Sequence, residues 1–235
     1  MDIAIIQLQE IQAARERIRF FNVYQGIPIS YTGEVLEVFN RTAMFKIHSN
    51  QILSMLSDKR TYLQNRRFSQ TVKARIIDSS MDEEIVTLGN FEFTDNKIGK
   101  RMHIRVVPKD PTRVQVTNLK QEARGDLIEI SIRGLSITMN ATLYDTRFSG
   151  YGKNIYTSLK LSEPGLRLPQ ITLPGTIKNV ILKKKEHLVR IGIQTFPEKD
   201  VDKVLSKYIA RRQNQIVQEI KRKTSKDHVI STDEI

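Results

Sequence analysis

Two groups of residues in this 235-residue chain have the types and spacing to hold an anion. The first is Lys100-Arg101-Met102-His103-Ile104-Arg105, with arginines four positions apart. Guanidinium groups bind phosphate through charge-assisted, forked hydrogen bonds, each worth about 1.5–3 kcal/mol net, and they also stack on base faces. The second group is Glu129-Ile130-Ser131-Ile132-Arg133-Gly134. The Ser131 hydroxyl can donate to a phosphate or a base edge, and Gly134 lets the backbone turn or a ligand approach closely. The Glu129 carboxylate can accept from the N–H groups on the Watson–Crick edge of guanine. Together the two groups read as a pocket for a phosphorylated guanine ligand. Each alone is weak, because a chain with 38 Lys and Arg holds many chance arginine pairs. The bland reading is a basic linker followed by an ordinary strand and turn. The order of the two groups, before and within a β-rich segment, is what makes the combination specific.

The elements that must position these residues are mostly strands. A first helix is expected from the start of the chain, capped by Asp2, with Leu8, Ile11 and Ile18 on one face and Ala14 between them. Short alternating runs follow. Val35–Phe39 and Ala43–Ile47 flank Asn40-Arg41, and a helical turn is expected over Gln51–Met55. Val72, Ala74 and Ile76 alternate, residues 79–84 form a turn cluster, and Ile85–Leu88 is a strand. Gly89-Asn90 is expected to turn the chain into Phe91-Glu92-Phe93. After a polar linker a second β unit begins. Leu127–Ile132 leads into the glycine turn, and Ile177–Leu182 pairs with Leu188–Phe196 around Lys183-Lys184-Lys185-Glu186. A helix is expected from about Glu198 to Lys223, with Val201, Val204, Leu205, Tyr208 and Ile209 as its early apolar stripe. At about 38 Å it outreaches a small barrel, so its far end should pack on another element or on another copy of the chain.

The fold class that follows is mainly β, with two small β-barrel-like domains and a long C-terminal helix. The expected divisions are an N-terminal β-rich domain with its leading helix over 1–96, a barrel with the arginine linker over 97–197, and a helix and tail over 198–235.

Composition bounds the chemistry. The chain has no cysteine, which excludes disulfides and thiolate metal sites. Its four histidines are scattered without ligand spacing, so no metal site is expected. No paired carboxylates, phosphate-binding loop or nucleophile elbow occurs, and the chain is read as no enzyme. The start lacks the basic flank and apolar run of a signal peptide, and no segment is apolar enough to span a bilayer; a cytoplasmic protein is expected. The net charge of +12 calls for an anionic partner, although charge alone fits a solvated basic surface equally well. Lys183–Lys185 offer cations to nucleic acid, but no stacking platform of aromatic residues accompanies them, so nucleic acid is the weakest of the partner readings.

The region from about Lys97 to Ile220 resembles a PilZ domain, the bacterial receptor module for cyclic di-GMP. That family carries R-x-x-x-R before its barrel and D/N-x-S-x-x-G on a barrel strand. Arg101 and Arg105 match the first motif, with Lys100 as the preceding basic residue. Ser131 and Gly134 match the second, while Glu129 stands one methylene longer where the family has Asp or Asn. Arg190–Phe196 and the helix after it look like the family's closing strand and terminal helix, and residues 1–96 resemble the domain that precedes PilZ in flagellar brake-type proteins. The resemblance implies that the arginines contact phosphates and guanines, and that residues 129, 131 and 134 surround a guanine. It implies cyclic di-GMP as the ligand, no other cofactor, and an output through altered interdomain or partner contacts in motility, pili or biofilm. A protein of the flagellar motor or pilus machinery is the implied partner. The long C-terminal helix adds the expectation of a homo-oligomer. The alternative is a degenerate PilZ scaffold that acts by protein–protein contact without binding the nucleotide.

Overall fold

Asp2 starts the first helix as expected: its side chain accepts from the Ala4 N–H at 3.0 Å. The computed structural model describes residues 2–95, 103–118, 121–143, 152–162 and 168–225. Lys100 and Arg101 lie outside the described residues. Helix α1 (Ile3–Ala13) buries Ala4, Ile5, Leu8 and Ile11. Ile18 does not share its face, contrary to expectation. Arg15 takes a positive φ of 52° that ends the helix, and Ile18 becomes the first inward residue of strand β1 (Arg17–Tyr24). Along β1, Ile18, Phe20 and Asn22 point inward at the two-residue period of a strand.

The elements that follow are β2 (Ile27–Val38), β3 (Thr42–Lys46), α2 (Ser49–Asp58), β4 (Arg60–Gln64), β5 (Thr71–Ser80) and β6 (Ile85–Thr94). The six strands close an antiparallel barrel in the order β1-β2-β3-β6-β5-β4. Phe20 and Phe45 meet edge to face in its core, with ring centroids 5.3 Å apart. Gly33 is required where β2 passes them, since a Cβ there would lie 2.7 Å from the Lys46 carbonyl oxygen and 2.9 Å from the Phe20 ring. Gly89-Asn90 is not a turn. β6 runs straight through it, Asn90 takes a φ of 53°, and the pairing with β5 shifts register between Lys73 and Arg75. The extra backbone is absorbed as a bulge rather than as a reversal.

A buried polar network ties α2 to this barrel. Asn22 accepts from Gln51 Nε2 at 2.9 Å and from Thr61 Oγ1 at 2.7 Å, and its own amide donates to the Arg60 carbonyl at 2.7 Å. At the surface, Arg66 and Arg67 each place an Nη2 2.7 Å from Glu16 Oε1. Those hydrogen bonds, Arg66 first, hold the Glu16 carboxyl down at about 2, and Glu16 in turn raises the Arg66 guanidinium.

The second barrel comprises β7 (Arg113–Thr117), β8 (Glu122–Ser131), β9 (Gly134–Asn140), β10 (Asn154–Lys160), β11 (Gln170–Lys183) and β12 (Leu188–Thr195). It closes in the order β10-β11-β12-β9-β8-β7. The architecture is therefore mainly β, two closed six-stranded barrels and a long C-terminal helix, as the sequence implies. β11 begins at Gln170, earlier than its alternation suggests, and carries Pro174 inside the sheet. Proline has no N–H to donate there, but its carbonyl accepts from the Phe196 N–H at 2.8 Å.

The last helix, α3 (Lys199–Thr224), matches the expected span closely. The chain groups into two compact units, Met1–Arg101 with Ile216–Ile235, and Met102–Gln215. Within the second unit, α3 buries Leu205, Tyr208 and Ile209, and the buried Arg212 donates Nε to the Val107 carbonyl at 2.9 Å. Within the first, Ile216 and Ile220 are buried, Glu219 accepts from Gln25 at 3.1 Å, and Thr224 donates to Asn50 at 2.6 Å. Among the described residues no helix is long and apolar enough to cross a membrane.

Candidate ligand-binding site

Val106 fixes the position of the second arginine. It is fully buried and makes a two-bond antiparallel bridge with Ile130 of β8: its N–H donates to the Ile130 carbonyl at 2.9 Å, and the Ile130 N–H donates back at 3.0 Å. The apolar side chain is drawn into the barrel, so its neighbour Arg105 faces the other way. The Arg105 Nη1 reaches Glu129 Oε1. Glu129 follows a register shift in the β8–β9 pairing, between Leu127 and Glu129, and such irregularities re-aim side chains.

A second guanidinium comes from β12. Arg190 Nη2 lies 3.3 Å from the same Glu129 oxygen, and Arg190 Nε donates to Ser136 Oγ of β9 at 2.8 Å. The strand register explains the meeting. Glu129 pairs with Ser136 and Ser136 with Gly192, while Arg190 pairs with Thr138 one row away. The carboxylate side chain is only 10% exposed, against 34% and 36% for the Arg105 and Arg190 side chains. A buried acid is thus held by two cations whose outer faces remain open to solvent. Counted over these three side chains the charge is +1, which suits an anion arriving from outside.

Ser131 and Gly134 close the β8–β9 hairpin. They pair directly, the Ser131 hydroxyl donates to the Gly134 carbonyl at 3.0 Å, and both residues are buried. A Cβ on Gly134 would sit 2.8 Å from the Ile193 carbonyl oxygen, so β9 and β12 approach too closely there for any side chain. The turn is pinned from outside as well. The Thr195 N–H donates to the Arg133 carbonyl at 3.1 Å, and Arg133 Nη1 lies 3.4 Å from Asp202 of α3.

Of the residues singled out in the sequence, the structure brings Arg105 and Glu129 into contact and places Ser131 and Gly134 at the end of the same strand pair. His103 is exposed. Arg190 and Ser136 escaped sequence reasoning. In the sequence Arg190 marks the start of the closing strand, but nothing local to it marks a carboxylate partner two strands away. A separate shallow groove of about 440 Å³ is lined by Arg113, Arg124 and Lys160, and by none of the singled-out residues. Among the described residues no group of His, Cys, Asp and Glu could hold a metal ion.

No family model matches the chain, and no curated protein does. Several solved structures are similar to it. The K. pneumonia MrkH–c-di-GMP complex shares 17% identity, covering 93% of this chain and 94% of that one, with a TM-score of 0.45. Escherichia coli YcgR in complex with c-di-GMP shares 12% over 94% of each chain, with a TM-score of 0.44. The PilZ domain of YcgR alone shares 13%, covering 54% of this chain and 98% of that one, with a TM-score of 0.40. Identities this low and TM-scores below 0.5 leave the functional reading to the residues of the chain itself.

Proposed function

We propose that the chain is a PilZ-type effector that binds cyclic di-GMP on the second barrel. The observation that carries this is the convergence of Arg105 and Arg190 on Glu129, beside a Ser131–Gly134 hairpin, on a segment that follows the Lys100-Arg101 pair. Arg105, joined by Lys100 and Arg101, takes the phosphates through forked hydrogen bonds. Glu129 accepts from the guanine edge, and Arg190 keeps that carboxylate in place when Arg105 turns outward. Ser131 retains acceptor capacity after its bond to the Gly134 carbonyl. Ordering of the linker around the ligand then favours one interdomain or partner arrangement over another, a population shift set by the ligand's differential affinity. The output is regulation of motility, pili or biofilm through a protein partner in the cytoplasm.

The test is a calorimetric titration of the full chain with cyclic di-GMP. Saturable binding at about micromolar Kd, near −8 kcal/mol, is expected. One observation favours a second reading. Glu129 pairs with Arg105 at the candidate site, as a scaffold that has given up the nucleotide would allow. A flat titration selects that scaffold, acting by protein–protein contact.

A further inference from the structure

The hairpin formed by β11 and β12 carries a feature that the nucleotide site does not use. Its tip, residues 178–187, holds Lys178, Lys183, Lys184, Lys185 and His187 against a single acid, Glu186, which pairs with Lys183 at 3.0 Å. Two large apolar residues sit among these cations. Ile181 is 47% exposed and Leu182 is 53% exposed. Adjacent strand residues point to opposite faces, so the two cover both sides of the ribbon. Leu182 pairs with Val189, which is buried, yet Leu182 itself remains in solvent. Ile181 pairs with Arg190 on the other face. The ribbon therefore extends past the barrel core at Ile181 and Leu182, and each of these two side chains stands half in solvent.

From this we infer that the β11–β12 tip docks on an anionic lipid bilayer. Exposed aliphatic side chains bordered by lysines match both layers of such a surface: acyl chains for the one, acidic headgroups for the other. Charge complementarity selects the bilayer's sign, and the exposed aliphatic pair selects a bilayer over nucleic acid. Phosphodiesters would meet the lysines but gain nothing from Ile181 and Leu182, and the tip holds no Phe, Tyr or Trp on which a base could stack. The surface is independent of cyclic di-GMP binding and stands if that reading fails.

The experiment is co-sedimentation of the full-length chain with vesicles of phosphatidylcholine alone and of equimolar phosphatidylcholine and phosphatidylserine. The wild-type chain is expected on the mixed vesicles and not on the neutral ones. Two double variants, I181S/L182S and K183E/K185E, should each weaken that partitioning by about tenfold or more. Unchanged circular dichroism checks that both variants fold. Either variant partitioning as well as the wild type overturns the inference, as does a wild-type chain that stays in the supernatant. A DNA duplex bound tightly by I181S/L182S and poorly by K183E/K185E, without vesicle binding by the wild type, would reassign the tip to nucleic acid.

Discussion

Replacing Arg105 by alanine separates the role of this side chain in folding from its role in binding. The substitution removes a cation from Glu129, whose side chain is 10% exposed. The carboxylate is not abandoned, because Arg190 remains 3.3 Å away. The stability loss should therefore be nearer a surface pair than a buried one, about 1 kcal/mol, or about 2–4 °C in Tm for a chain of this size. Binding should suffer more. One guanidinium–phosphate interaction contributes about 1.5–3 kcal/mol, and each 1.4 kcal/mol is tenfold in Kd. Arg105 must loosen its hold on Glu129 to reach a phosphate, which offsets part of that gain. The expected loss is thus about tenfold or somewhat more, read by calorimetry with cyclic di-GMP. Arg105→Lys, which keeps the charge but not the fork, should fall between. An affinity within about twofold of wild type in a folded Arg105→Ala protein would refute the placement of this residue in the pocket.

Other perturbations probe neighbouring parts of the molecule. Glu129→Gln should weaken cyclic di-GMP binding by about tenfold, since an amide presents one acceptor and one donor to a guanine edge that needs two acceptors; tighter binding in the same titration would mean that the carboxylate competes with the ligand for Arg105. Gly134→Ala should destabilise the second barrel by about 1–3 kcal/mol in urea unfolding, because the new Cβ meets a backbone oxygen at 2.8 Å, whereas at Gly192 the nearest atom is the Asn179 Cβ at 3.3 Å and alanine should cost less. Glu16 titrates at about 2 in the folded protein against an ordinary 4.5, so the folded state binds fewer protons, and the stabilisation is complete above pH 4.5 and fades as the pH falls toward 2. Glu16→Gln should accordingly lower Tm at neutral pH, with the gap to wild type closing near pH 2; a gap that stays constant across that window would exclude the ion pair as its source.

The parts of the fold legible in the sequence are those governed by local period. Alternation marks β8, β9 and β12, Asp2 announces α1, and the apolar stripe of α3 sets its length within a residue or two. Closure is not local. The pairings of β1 with β4 and of β3 with β6 join strands distant in sequence, and β4 buries three consecutive residues, Thr61, Tyr62 and Leu63, which erases its alternation. Asn90 misleads for a related reason. A Gly-Asn pair is a turn signal, yet here the positive φ serves a bulge inside a continuous strand. In the candidate site, Arg105 and Glu129 were legible from residue type and order. Arg190 and Ser136 were not, because only the β8–β9–β12 register carries them to the carboxylate.

The two halves of the motif therefore carry different weight. Ser131 and Gly134 are demanded by the hairpin itself: one caps the turn through the Gly134 carbonyl, and the other admits the Ile193 carbonyl. A chain that had lost every ligand would still need them to close this barrel. Nothing in the packing demands Glu129. A buried carboxylate between two guanidiniums carries a desolvation penalty that an apolar residue of similar size would avoid, and such replacements are often neutral or stabilising. Arg105 and Arg190 likewise turn their outer faces to solvent, where they add little to stability. These three side chains are the ones whose presence a ligand explains and barrel packing does not, so a titration series across Arg105, Glu129 and Arg190 tests ligand binding more directly than any substitution in the hairpin.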